Sequence, residues 1–438
     1  MKKHIGLALA AVMATMGAAC GSSDGSGGSG GTAGSGGSGG TGPVCATPGD
    51  TVTLPTEIAS DVMLTSDCRY RVAQSVFVTG GTTTIEAGTT IIGDQAAGFI
   101  VTRNGKLDAQ GSSAEPIVFT SSAPAGSRQA GDWGGVVLLG SAPLSWGDRA
   151  CGGDTGVTCE GSIEGIDPGE DRGRYGGDDP AHDCGTLRYA RVEFAGFTFG
   201  EDNELNSLTV GGCGTDTTLE YIQTHQGEDD GVEFFGGTAS ISKLIVTGTG
   251  DDGLDWDQGW QGSATNFIVD HSAPRSDDPR GIEGDNFSDN QDVEPRSNPT
   301  VSHGTLLGST GTDSGVVLRR GTLGNLLGLI VADWDGPGVD VRDRSWDPAW
   351  PAELSVEDSC FWGNDPNYPD DANDDNGDGT FFDEPEELAD GLGNSEDQDP
   401  MIADRAGHDY SAGNSNCMGA FAPDGTDWTV GWTDYSVN

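Results

Sequence analysis

The sequence predicts an all-β fold, a parallel β-helix, on three observations. An acidic phrase occurs twice, as Glu228-Asp229-Asp230-Gly231-Val232-Glu233 and Gly250-Asp251-Asp252-Gly253-Leu254-Asp255, with an offset of 22 residues from Asp229 to Asp251. A period near this length, with short β-runs joined by Gly-rich corners, suggests one coil of a solenoid. The phrase then continues in reduced form as Gly281-Ile282-Glu283, Gly315-Val316-Val317 and Gly338-Val339-Asp340. Finally, residues 45–145 carry short apolar runs at regular spacing with Gly and Pro corners, and few of the Asn-Gly or Asp-Gly turns that hairpins of a sandwich would use.

Strand alternation then assigns sides. Val232, Leu254, Ile282, Val316 and Val339 are expected to stack inside the coils. Glu233, Asp255, Glu283 and Asp340 are expected outside, one above another, where a column of like charges needs a cation or solvent to screen it.

Four segments follow in order. Residues 1–20 read as a targeting segment: Lys2 and Lys3, an apolar run Ile5–Val12, and small residues before Cys20. The pattern resembles a bacterial lipoprotein signal, which would lipidate Cys20 and make that lipid the chain's only contact with a membrane. Residues 21–43 are a Gly/Ser-rich tether. Residues 44–365 are the β-helix. Its coils are interrupted by a Gly/Asp-rich excursion, Trp146–Asp183, and by a polar one, Ser272–Pro299, that holds Glu283, Asp285 and Asp289. Residues 366–438 are an acidic, calcium-loop-like segment followed by an aromatic stretch expected to cap the open end, as solenoids require.

The chain has 438 residues and a formal charge of −49, from 70 acidic and 21 basic side chains. Phosphate binding needs a basic patch, so nucleic acid is not an expected partner. Carboxylates at this density suit divalent cations outside the cell, and calcium is the expected cofactor. Eight cysteines remain after Cys20, an even number in a chain read as exported, and nearest-neighbour disulfides are expected: 45–68, 151–159, 184–213 and 360–417.

The phrases IEAGTTI, NGKLDAQGSSAEPIVFTS and GDWGGVVLLGSAP, with the later GTLRYARVEFAG, DDGVEFFGGT and DDGLDWDQGW, resemble the right-handed parallel β-helix (pectin-lyase-like) group of exported, often lipidated bacterial proteins. The resemblance spans roughly residues 75–345. It implies the fold and an envelope location, at the outer membrane or cell surface, and no established reaction.

Two constellations could carry chemistry. Asp374, Asn376 and Asp378 sit at alternate positions of a D-x-[DN]-x-[DN]-G loop, which wraps calcium with oxygen ligands. Pro385 stands where an EF-hand has its twelfth-position Glu. The second is the repeated phrase itself. Asp229, Glu233, Asp251, Asp255 and Asp257 are candidate metal ligands. Asp229, Asp230, Asp251 and Asp252, with His303, are the candidates for acid/base cleavage of a polysaccharide, by a lyase or glycoside hydrolase. Polygalacturonase-like β-helix hydrolases pair aspartates with a Gly-His-Gly; Ser302-His303-Gly304 is similar, but their Asn-Thr-Asp and Arg-Ile-Lys phrases do not occur here. A third reading leaves these aspartates as turn caps. Trp256 and Trp260 flank the second phrase and are candidates to stack on a sugar ring. The resulting expectation is a calcium-binding surface module that binds a glycan or a surface partner without catalysis, with the polysaccharide-cleaving enzyme as the alternative. Arg280, Arg319 and Arg320 are expected as ion-pair partners of the acidic surface, and His225 and His271 as structural.

Overall fold

Two long parallel sheets wind around one apolar lumen in the computed structural model, which describes residues 43, 45–147, 159–200, 203–272, 279–343, 353–369, 382–389, 392–421 and 425–436. One sheet has 16 strands and the other 10, and successive strands of each come from successive turns of the chain. This is a parallel β-helix, as the repeat requires. The described residues all belong to one compact unit. Asp374, Asn376, Asp378, Cys20 and residues 21–42 of the tether lie outside them.

A tight coil shows the logic. Ser240–Thr247 lies on the larger sheet, Leu254–Asp257 on the smaller, and Ser263–Asp270 returns to the larger. The larger sheet bends in the middle of each long strand. Pairing skips Tyr189, Tyr221, Lys243, Asn266 and His303, and each has left-handed backbone, with φ between 48° and 57°. Left-handed backbone breaks a strand for one residue, so the larger sheet forms two limbs and the coil has three faces.

The interior follows the predicted stack. Val232, Leu254, Ile282, Val316 and Val339 pair in that order and all are fully buried. The preceding glycines form a second column for a packing reason. A Cβ added to Gly231, Gly253, Gly281 or Gly315 would lie 2.5–2.8 Å from the carbonyl oxygen of the glycine one coil on. Coils about 4.8 Å apart leave no room there for a side chain, and that constraint writes Gly into the repeated phrase.

Three of the expected disulfides form: Cys45–Cys68, Cys184–Cys213 and Cys360–Cys417. Cys159 is also disulfide-bonded, and Cys151, its expected partner, lies outside the described residues.

Two expectations change. Ser272–Pro299 is not one excursion, because Ile282–Gly284 inside it is a strand paired to the coils on both sides. The aromatic tail is not the end cap either. Phe421, Trp428 and Trp432 lie along the outer face of the larger sheet, against Ile245, Ile268 and Ile330. The C-terminal end is closed instead by a short helix, Glu384–Ala389, with Phe382 and Leu388 in the lumen cluster and Glu384 accepting the backbone N–H of Val341 at 3.1 Å. The aromatic composition marked a segment that must cover apolar surface. Which surface it covers depends on the outward isoleucines of distant coils.

Candidate functional site

The smaller sheet carries the candidate site on its outer face. That face begins apolar. Phe77, Ile100 and Val137 point outward in register and are covered by Ile163, Tyr175 and Leu205. It then becomes acidic. Glu233 pairs with Asp255, and Asp255 with Glu283. The predicted column therefore exists, with one correction at its end: Val317 stands between Glu283 and Asp340. Its screening is also specific. Arg319 forms ion pairs with Glu283 and Asp285, Arg320 holds Asp285 at 2.7 Å, and Arg280 holds Glu283 at 2.7 Å. Asp340 is paired with Arg342. Arginines thus neutralise the C-terminal part of the column.

The corners entering these strands add the paired aspartates. Asp230 accepts the backbone N–H of Asp252 at 2.9 Å, and Asp252 accepts that of Arg280 at 2.8 Å. Each uses one carboxylate oxygen to cap the coil above it, so the turn-capping reading holds for these two. The capping does not exhaust them. One oxygen from each of Asp229, Asp230 and Asp251 lies within 4.8 Å of the others. The same is true of Asp230, Glu233 and Asp255, and of Asp252, Asp255 and Glu283. Two oxygens bound to one calcium ion at about 2.4 Å lie at most about 4.8 Å apart, so each trio has the dimensions of a partial coordination shell. Shared members make the trios one continuous row.

Burial raises the proton affinity of Asp229, Asp230, Glu233, Asp252 and Asp255 well above the ordinary carboxylate range, and neighbouring carboxylates add to it. Glu164, from the first excursion, contributes to the rise at Glu233. Burial, then Asp285, pushes Asp257 up to about 8. Glu283 is raised by burial despite Arg319 and Arg280. Asn206 donates to Glu233 at 2.6 Å, and Asp255 keeps one buried carboxylate oxygen without a hydrogen-bond partner.

Of the predicted metal ligands, Asp229, Glu233, Asp251 and Asp255 come together, and Asp257 stands outside the trios. Asp230 and Asp252, first considered for catalysis, join them. So does Glu283, whose Gly-Ile-Glu phrase had marked it for the column. Asn206 and Glu164 carried no signal, because loops distant in sequence bring them in. His303 is not part of this site. It belongs to the larger sheet, in Thr300–Leu307, near Gly328 and Met418. Trp256 and Trp260 are a second correction. Both are fully buried in the lumen, Trp260 stacked on Phe234 at 4.3 Å, and their ring nitrogens donate to Thr322 and to the carbonyl of Ala239. Strand alternation puts Trp256 on the side opposite the acids, and Trp260, past the end of that strand, is buried in the lumen against Phe234, so neither offers a face to a sugar. His225 and His271 are buried, as expected of structural histidines.

Fold and site together define a parallel β-helix with an acidic ladder on one outer face. The chain belongs to the pectate-lyase-like β-helix domain family, whose family model matches residues 56–433. No curated protein and no solved structure matches it.

Proposed function

We propose that this protein is an exported, calcium-binding β-helix module that binds an acidic glycan or a surface partner without catalysis, held at the bacterial envelope by lipid on Cys20. The observation that carries the calcium reading is the row of three overlapping carboxylate trios. Bringing these acids together without a counterion is unfavourable, because each buried charge disfavours the next. Divalent ions would remove that penalty, and their unfilled coordination positions would accept carboxylates or hydroxyls of a ligand. Arg280, Arg319 and Arg320 support a binding role. Each is engaged with carboxylates, and Arg319 has its proton held more tightly, not less, which does not suit a general base.

Calorimetric titration of calcium into the full chain tests the reading. Binding with a rise in melting temperature is expected, and Asp230→Asn with Asp255→Asn should weaken it at least about tenfold, as expected for lost charge-assisted ligands. Absence of both heat and thermal shift would overturn it. One observation favours the polysaccharide-cleaving alternative: Asp257, at about 8, has the proton affinity of a general acid near neutral pH. Reducing ends or unsaturated products released from acidic polysaccharides, and lost in Asp257→Asn, would move the assignment to that enzyme class.

A further inference from the structure

A cationic cavity lies on a different face, the outer face of the larger sheet near its N-terminal end. The tail covers this face from the C-terminal coils back to Gln223, where Asp434 makes hydrogen bonds of 2.8 and 2.9 Å with the Gln223 side chain. Beyond that point the column Arg69, Thr90, Val118 and Arg191 continues in register. These residues, with Arg128, Phe194, Asp434 and Ser436, line a cavity of about 260 Å³.

The charges there are unusual for this chain. Three of its 21 basic residues converge on one cavity in a protein of net charge −49. Arg191 is fixed by Glu193 at 2.9 Å and by the carbonyl of Trp432 at 3.3 Å. Arg128 lies 4.0 Å from Glu193 and over the ring of Phe194. Arg69 is different. Among the described lysines and arginines it alone has a side chain with no ionic, hydrogen-bonding or ring partner, although acids outnumber bases more than threefold. A guanidinium left unpaired beside two fixed ones is an open position for an anion.

We propose that this cavity binds the carboxylate of one acidic sugar residue. Arg69 and Arg128 take the carboxylate, Glu193, Asp434 and the Thr90 hydroxyl take ring hydroxyls, and Val118 faces the apolar side of the ring. The volume lies just below the range of about 300–1,000 Å³ typical for drug-sized ligands, which suits a single sugar. This inference is independent of the calcium reading, because it uses neither the smaller sheet nor a cation.

The test uses the full chain in excess chelator, so that cation bridging at the acidic ladder does not contribute. Glucuronate, glucose and sulfate are titrated separately, with binding followed by ligand-observed NMR. Glucuronate should bind and glucose should not. Arg69→Ala, at an exposed side chain, should weaken glucuronate binding at least about tenfold with an unchanged melting temperature, whereas Asp230→Asn should leave it intact. Glucuronate binding unchanged in Arg69→Ala would overturn the site, as would no binding of any probe. Sulfate binding as tightly as glucuronate would overturn the sugar assignment in favour of a bare-anion site.

Discussion

Asp230 and Asp252 show how one side chain serves fold and site together. One oxygen of each caps the coil above, and each also contributes to a carboxylate trio. Their residue type and 22-residue spacing were visible in the chain. Their convergence with Glu233, Asp255 and Glu283 required the coils to stack in register. Trp260 illustrates the opposite case. Beside an acidic phrase it looks like a ligand contact, but it lies in the lumen against Phe234. Trp260→Ala should therefore cost about 3–5 kcal/mol of stability, measured by chemical denaturation. A loss of ligand binding with unchanged stability would return Trp260 to the surface role. For Trp256, inside the strand Leu254–Asp257, alternation decides the face, and a one-residue shift in strand register would exchange the two faces.

At the scale of elements, the glycine column ties sequence to coil spacing. Gly253→Ala would place a methyl group 2.4 Å from Val269 Cγ1 and 2.8 Å from the carbonyl oxygen of Gly281. Overpacking of this kind costs about 1–3 kcal/mol, and the expected result is a lower denaturation midpoint with weakened calcium binding, because Asp252 and Asp255 flank the shifted backbone. A wild-type midpoint would mean that the coils can separate locally. The bend between the two limbs was not legible in advance. Tyr189, Tyr221, Lys243, Asn266 and His303 are not of one residue type; what they share is a left-handed backbone at the same register position of successive coils.

For the whole molecule, the acidic ladder sets a pH dependence. Its carboxylates bind protons more tightly when folded than when unfolded, where Asp titrates near 3.8. Such groups stabilise the fold in the protonated form, and that contribution is lost as pH rises through the folded values. In chelator, the melting temperature should fall as pH is raised from about 4 towards 8, the value reached by Asp257. Saturating calcium should remove most of that fall, because the ion replaces the protons. A chelated protein with a flat profile would show that the ladder is not under this electrostatic load. The proposed lipid anchor at Cys20 is tested in the producing cell. Cys20→Ser should shift the protein from the membrane fraction to the soluble fraction, and an unchanged distribution would rule out anchoring through that residue.

The sequence by itself determined the coil. A phrase repeated at an offset of 22 residues, its glycines and its alternating aliphatic residues specify a parallel β-helix and the order of its interior stack, because coil spacing and strand alternation are local constraints that recur in every turn. It also determined which carboxylates could meet. The tertiary structure decided what surrounds them. Arginines of later coils neutralise the ladder's C-terminal end, Asn206 and Glu164 arrive from separate loops, the tail lies along a face where composition alone suggested an end cap, and Arg69 lines a cavity with Asp434 and Ser436 of that tail. These contacts join residues tens to hundreds of positions apart, and no periodic pattern records them.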